Sequence, residues 1–157
     1  MHFGGANSLG DLANHLNTTA MKSYRAQLAV VSGELGKAVE TGVKEAIGSY
    51  NFGWAQLTPA TLDRKTKSGL GMGGNPDTPL YASGEFFEST AHKVEGLTTI
   101  VGSTKPEAVY TELGTSDQPP RPVFGPVALQ VVPRFLPIIG QYAGAGIAGL
   151  QVRTFSR

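Results

Sequence analysis

The sequence predicts an α+β fold: one long amphipathic helix packed on a small antiparallel β-sheet, with additional short helices and a long glycine-rich loop. Three observations predict it. Apolar residues recur every three or four positions at Met21, Tyr24, Leu28, Val31, Leu35, Val39, Val43 and Ala46, the spacing of one helical face running to about Ile47. Two short runs, Thr90 to Glu95 and Thr98 to Gly102, are separated by Gly96 and read as paired strands joined at a tight turn. Between Ser49 and Pro79 the pattern dissolves into Asn51-Phe52-Gly53-Trp54, Thr58-Pro59 and Ser68-Gly-Leu-Gly-Met-Gly-Gly-Asn-Pro76, a longer irregular stretch than most compact domains keep.

Each element has a local cause. Ser8 ahead of Leu9, Leu12, His15 and Leu16 is an N-cap before a short apolar stripe, so a brief first helix is expected, ended at Asn17-Thr18-Thr19. The long helix carries Lys22, Arg25, Glu34, Lys37, Glu40, Lys44 and Glu45 on its other face, with Glu40 and Lys44 in the favourable i, i+4 order. Its three glycines, Gly33, Gly36 and Gly42, each cost about 1 kcal/mol relative to alanine, which predicts close packing against another element or another chain. Thr58-Pro59 starts a short helix through Lys65. Ser83 to Ser89 reads as a capped helical turn containing Gly84. Pro106 to Leu113 reads as a helix ended by Gly114. Thr115 to Pro122 is a proline-rich turn, and an apolar helix follows from Val123 toward Gly140, with a kink expected at Pro133 or Pro137.

Length and composition bound the rest. At 157 residues the chain has the size of one domain, expected to span 1–157 with a flexible N-terminus (1–7) and a flexible glycine-rich loop (68–79), and it can bury a core without cross-links. There is no cysteine, so neither disulfides nor thiolate metal ligands contribute. Thirteen Lys+Arg against 12 Asp+Glu give a formal charge of +1, too little for a global field toward nucleic acid or membrane. With 21 glycines and 10 prolines, so weakly charged a chain is suited to completing itself against neighbours. The N-terminus lacks the charged start and apolar core of a signal peptide, so assembly in the cytoplasm is expected. The stretch 127–152 is largely apolar and contains Gly140-x-x-x-Gly144, a spacing of associating membrane helices. Pro133, Arg134 and Pro137 in its middle oppose a span.

Motifs for catalysis are scarce. His2, His15 and His92 stand apart from one another and from any acidic cluster with metal-ligand spacing, so no metal centre, cofactor site or catalytic triad is expected, and each histidine is read as a surface or helix-packing residue. Gly144-Ala-Gly146-Ile-Ala-Gly149 matches G-x-G-x-x-G, but a dinucleotide site needs a preceding strand and an acidic residue about 20 positions later. Asp63-Arg64-Lys65-x-Lys67 near Trp54 admits two readings: a small nucleic-acid contact through phosphate and stacking, or a solvated loop with Trp54 as a half-buried anchor. Glu107 and Glu112 flank Tyr110 on one short element and read as ordinary helix surface. Pro120 and Pro122 hold Arg121 at a fixed angle, suited to bonding a carboxylate or a backbone carbonyl, with Glu112 the nearest acidic candidate; the alternative is a surface arginine in a proline-rich loop.

Several segments together carry a family resemblance. They are Trp54-Ala-Gln-Leu57-Thr-Pro-Ala-Thr61-Leu-Asp-Arg-Lys65, Pro79-Leu80-Tyr-Ala-Ser-Gly84-Glu-Phe-Phe-Glu-Ser89, Tyr110-Thr-Glu-Leu-Gly114-Thr115 and Pro119-Pro120-Arg121-Pro122-Val-Phe124-Gly-Pro126. In this order, about a strand pair and after a long amphipathic helix, the chain resembles the phage tail-component and virion-morphogenesis families from about Leu9 to Leu136. Glu112-Leu113-Gly114-Thr115 followed by Arg121-Pro122 is the most specific part. Ser83, Phe86 and Val123-Phe124 depart from the family pattern conservatively, while the segment from Gly140 to Arg157 is richer in glycine than the charged helix found there.

The resemblance implies a non-enzymatic virion protein of a tailed phage, a neck or tail-completion subunit that joins head and tail. It implies a homo-oligomeric ring, with six copies the expected number, contacting connector and tail proteins, with genome DNA passing through its lumen. A tail terminator and a head-closure stopper are alternatives within this reading. A membrane-active lysis protein using 127–152 is the alternative from another class. The residues expected to carry interaction or structure are Trp54, Lys65, Gly84, Glu112, Gly114, Thr115, Arg121, Pro122 and Phe124.

Overall fold

A computed structural model describes residues 8–15, 18 and 21–147. Segment 1–7, with His2, and residues 148–157, with Gly149 of the glycine string, lie outside the described residues. The chain is α+β. Helices α1 (Leu9–His15), α2 (Met21–Ala46), α3 (Pro59–Lys67) and α4 (Glu85–Ser89) precede strands β1 (Thr90–Glu95) and β2 (Thr98–Ser103), and α5 (Glu107–Leu113) and α6 (Phe124–Ile147) follow them.

Local chemistry accounts for the ends of these elements. The Ser8 Oγ accepts the backbone N–H of Asp11 at 3.1 Å, and Thr58 Oγ1 accepts that of Thr61 at 3.3 Å, so both helices begin on hydroxyl caps. The strands pair antiparallel from Thr90 opposite Ser103 to Glu95 opposite Thr98. Gly96 takes φ +63° while Leu97 does not share a positive φ, the pattern of a two-residue turn with glycine first. The helical turn expected from Ser83 to Ser89 is α4, which begins at Glu85. The cap position is Gly84, at φ +93° and without a side-chain bond, because a left-handed residue is needed there and glycine adopts it without strain.

The core is where α2 meets α6. Val39, Val43, Ala46 and Ile47 pack with Phe86, Val123 and Val127, and Val43 and Val123 are fully buried. Two of the three α2 glycines do what close packing requires. A methyl at Gly42 would meet Val127 Cγ1 at 2.8 Å, and one at Gly36 would meet His92 Cδ2 at 2.7 Å and Thr99 Cγ2 at 2.9 Å. Gly42 thus seats α6 and Gly36 seats the hairpin, while Gly33 has no such neighbour. The hairpin is further tied to α2 by Thr99 Oγ1, which donates to the Ser32 carbonyl at 2.9 Å; two strands alone would be marginal.

α6 continues through Pro133 and Pro137 to Ile147, past the expected end near Gly140. Each proline removes a helical donor, but packing on α2 holds the helix where propensity alone would not. Among the described residues no helix is long and apolar enough to cross a membrane.

The glycine-rich loop is more tied than its composition predicts. Gly71 N–H donates to the Ala82 carbonyl at 3.1 Å and Asn75 N–H to the Met72 carbonyl at 3.0 Å. Beneath it, the Lys65 ammonium donates to the Thr78 carbonyl at 2.7 Å and to Thr78 Oγ1 at 3.3 Å. A methyl on Gly71 would fall 2.0 Å from the Asn75 carbonyl oxygen, so this glycine is required by the turn itself.

Candidate functional site

The segment between α5 and α6 gathers most of the residues the sequence singles out. α5 ends at Gly114, with φ +75° and its N–H on the Tyr110 carbonyl at 2.9 Å. A side chain there would meet the Gln118 oxygen and the Pro120 nitrogen, each at 2.9 Å, so the turn closes against a bare α-carbon. Thr115 N–H then donates to the Gln118 carbonyl at 2.8 Å, and Pro119-Pro120 returns the chain so that Arg121 N–H reaches the Thr111 carbonyl at 2.7 Å.

Glu112 uses this return. Its Oε1 accepts the backbone N–H groups of Val123 at 2.6 Å and Phe124 at 2.7 Å, the first donors of α6, which lack helical acceptors. A carboxylate there also meets the positive end of the helix dipole. Pro122, half-buried, leads into this cap, and Phe124 sets its ring edge-on to Phe86 with centroids 6.3 Å apart. The α5 carboxylate is therefore the N-cap of α6, and its reading as ordinary helix surface is corrected.

Arg121 takes one of the two kinds of acceptor expected of it. It is 8% exposed and does not pair with Glu112. Its Nη2 donates to the Ala55 carbonyl at 2.9 Å, across 66 residues of sequence, so of the two acceptor types expected it takes a backbone carbonyl. Its Nε is buried with no acceptor among the described residues. The neighbouring Trp54 is half-buried and packs on the core, with its ring 5.7 Å from that of Phe52, which matches the anchor reading.

Lys65 is 6% exposed and engaged with Thr78, so it is not part of a surface basic cluster for nucleic acid; Arg64 and Lys67 are exposed. Burial pushes the Lys65 ammonium below the ordinary lysine range; the nearby Asp77 carboxylate opposes this shift and the Arg121 charge adds to it. Lys65, Gly84 and Arg121 line one cavity of about 400 Å³ with Leu57, Phe86 and Tyr110. Eight of the nine residues thus fall into two adjoining groups: Lys65, Gly84 and Arg121 line the cavity, and Glu112, Gly114, Thr115, Pro122 and Phe124 build the turn between α5 and α6, while Trp54 packs on the core.

Of one polar cluster only the Glu40–Lys44 pair was legible in the sequence. His92 Nδ1 lies 2.6 Å from Glu40 Oε2, and the Lys44 ammonium donates to Glu40 Oε1 at 2.6 Å. His92 is therefore a helix-packing residue, as expected, but it is not isolated from acidic side chains. The bond from Lys44, and then that from His92, holds the Glu40 carboxyl below the usual range, against the opposing effect of burial. A second polar contact without a sequence signal lies at Tyr50, whose hydroxyl donates to Asp77 Oδ1 and accepts the Leu57 N–H at 3.2 Å. Among the described residues no group of acidic or histidine side chains could hold a metal ion.

Compared with protein-family models, with curated proteins and with solved structures, the chain matches none.

Proposed function

We propose that this chain is a structural subunit of a tailed-phage virion that assembles into a ring at the junction of head and tail. The observation that carries the assembly reading is the outer face of α6. Leu129, Val132 and Leu136 follow at i, i+3 and i+7, and Leu129 is 79% exposed, while the opposite side of the same helix carries Val127 into the core. Arg134 is the single charged residue in the helix. A helix apolar on both sides belongs in an interior, and the second side has no cover within the described residues. Leu113, 76% exposed, and Val109 and Tyr110 of α5 add apolar surface of the kind that marks protein contacts.

Support for the phage part comes from the resemblance. Its most specific residues, Glu112, Gly114, Thr115 and Arg121, all take part in one junction that sets the start of α6, and α6 carries the apolar face. The resemblance thus rests on residues that orient the proposed interface. A repeated head-to-tail contact that closes on itself gives a ring, and six copies are expected from the family.

The test has two arms. Mass photometry and particle averaging should show a closed ring, and Leu129→Asp with Leu136→Asp should abolish it while leaving the circular dichroism of the subunit intact. A monomer both in isolation and in virions would overturn the assembly reading. Particles grown without the protein should yield filled heads separate from finished tails; overlong tails would identify a terminator instead, and normal infectious particles would remove the virion role.

A further inference from the structure

We infer that the cavity lined by Lys65, Gly84 and Arg121 is a binding site for a carboxylate group. The cavity has about 400 Å³ of space, room for a side chain and more than an ordered water needs. Two cations on its wall are more than nine-tenths buried, Lys65 at 6% and Arg121 at 8% exposure, and neither forms an ion pair among the described residues. Buried cations of this kind are ordinarily paired.

The donors are left over in a particular way. Arg121 Nη2 is taken by the Ala55 carbonyl, but Nε is buried and has no acceptor. Nε has almost no accessible surface of its own, so a ligand in the cavity would meet the guanidinium at its Nη edge; a buried guanidinium with a donor unsatisfied calls for a partner. Lys65 gives hydrogen bonds to the Thr78 carbonyl and Thr78 Oγ1, leaving one of its three N–H groups. The nearest acids are already placed. Asp77 accepts from Tyr50, Glu112 caps α6, and Glu85, on the cavity wall, is held by Lys105. Glu107, also on the wall, is exposed.

A carboxylate fits this set better than a phosphate. It is planar and singly charged, matching a guanidinium edge, and part of the wall is apolar, at Leu57, Leu80 and Phe86, where a dianion would pay heavily for lost hydration. The carboxylate can arrive free or on the Asp or Glu side chain of a docked polypeptide. The site does not depend on the ring reading.

The Arg121 Nε–H resonance reports occupancy through the shared guanidinium in the unaltered protein. It should shift saturably with acetate, or with a blocked Leu-Asp-Leu tripeptide and not with its Leu-Asn-Leu counterpart. Tighter binding of the tripeptide assigns the site to a protein side chain, and tighter binding of acetate assigns it to a free carboxylate. Arg121→Lys, which keeps the charge but loses the planar fork, should weaken binding at least about tenfold. A resonance unmoved by both carboxylates, moved equally by the Asn peptide, or moved more tightly by inorganic phosphate would overturn the inference; each is read in the wild-type chain, whatever the variant does.

Discussion

The Glu112 carboxylate caps the helix that begins at Phe124, accepting the Phe124 N–H at 2.7 Å through the same oxygen that takes the Val123 N–H at 2.6 Å. Two charge-assisted bonds to unpaired helix donors make this one acceptor the tie between α5 and α6. Glu112→Ala should lower stability by about 1–2 kcal/mol in urea unfolding, the upper range for loss of a cap. Glu112→Gln, which keeps an acceptor oxygen and loses the charge, should cost less. Equal effects would mean that the bonds seen at Val123 and Phe124 carry no weight.

Gly114→Val should cost on the order of 2–3 kcal/mol, since φ is +75° and the new side chain would press on backbone atoms of Gln118 and Pro120. Gly33→Ala should do the opposite, stabilising by about 0.5–1 kcal/mol, because Gly33 lies inside a helix with open space around it. Thermal unfolding of the two variants side by side checks both signs.

Lys65→Met should loosen the loop it anchors while leaving α2 and α6 protected. The side chain volume is kept, but the bonds to Thr78 are lost. Faster hydrogen exchange is expected at Gly71 and Asn75, whose N–H groups close the loop.

Stability should fall as pH drops through the carboxylate range, in part because of Glu40. Its folded pKa lies below the unfolded value, so the unfolded chain binds the proton first. The contribution is therefore complete above about pH 4.3, the ordinary glutamate value, and is lost as pH falls from there through the depressed value. Melting temperatures followed from about pH 7 to about pH 3 should show a shallower acid decline for Glu40→Gln than for the wild type.

Arg121→Ala should lower the melting temperature, and Lys67→Ala should leave it unchanged. The first removes a buried side chain bonded to Ala55; the second removes an exposed one, where single substitutions are close to neutral.

The sequence by itself determined the α+β class and the course of most elements. The α2 stripe, the Thr58-Pro59 start, the Gly96 turn and the Gly114 stop are all written within a few residues of where they act, because helix periodicity, capping and left-handed turns depend on near neighbours. It could also mark Arg121, since the two prolines that hold it are local, whereas Glu112 stood out only through the family resemblance and otherwise read as helix surface. What each side chain bonds was decided only by the tertiary path. Arg121 reaches a carbonyl 66 positions away, His92 meets an acid 52 positions away, and Lys65 is drawn under a loop that composition alone describes as open. Nearest in sequence did not mean nearest in space: the proline return carries Arg121 N–H to the Thr111 carbonyl and brings the first donors of α6 onto Glu112, so the carboxylate is used before the guanidinium can claim it.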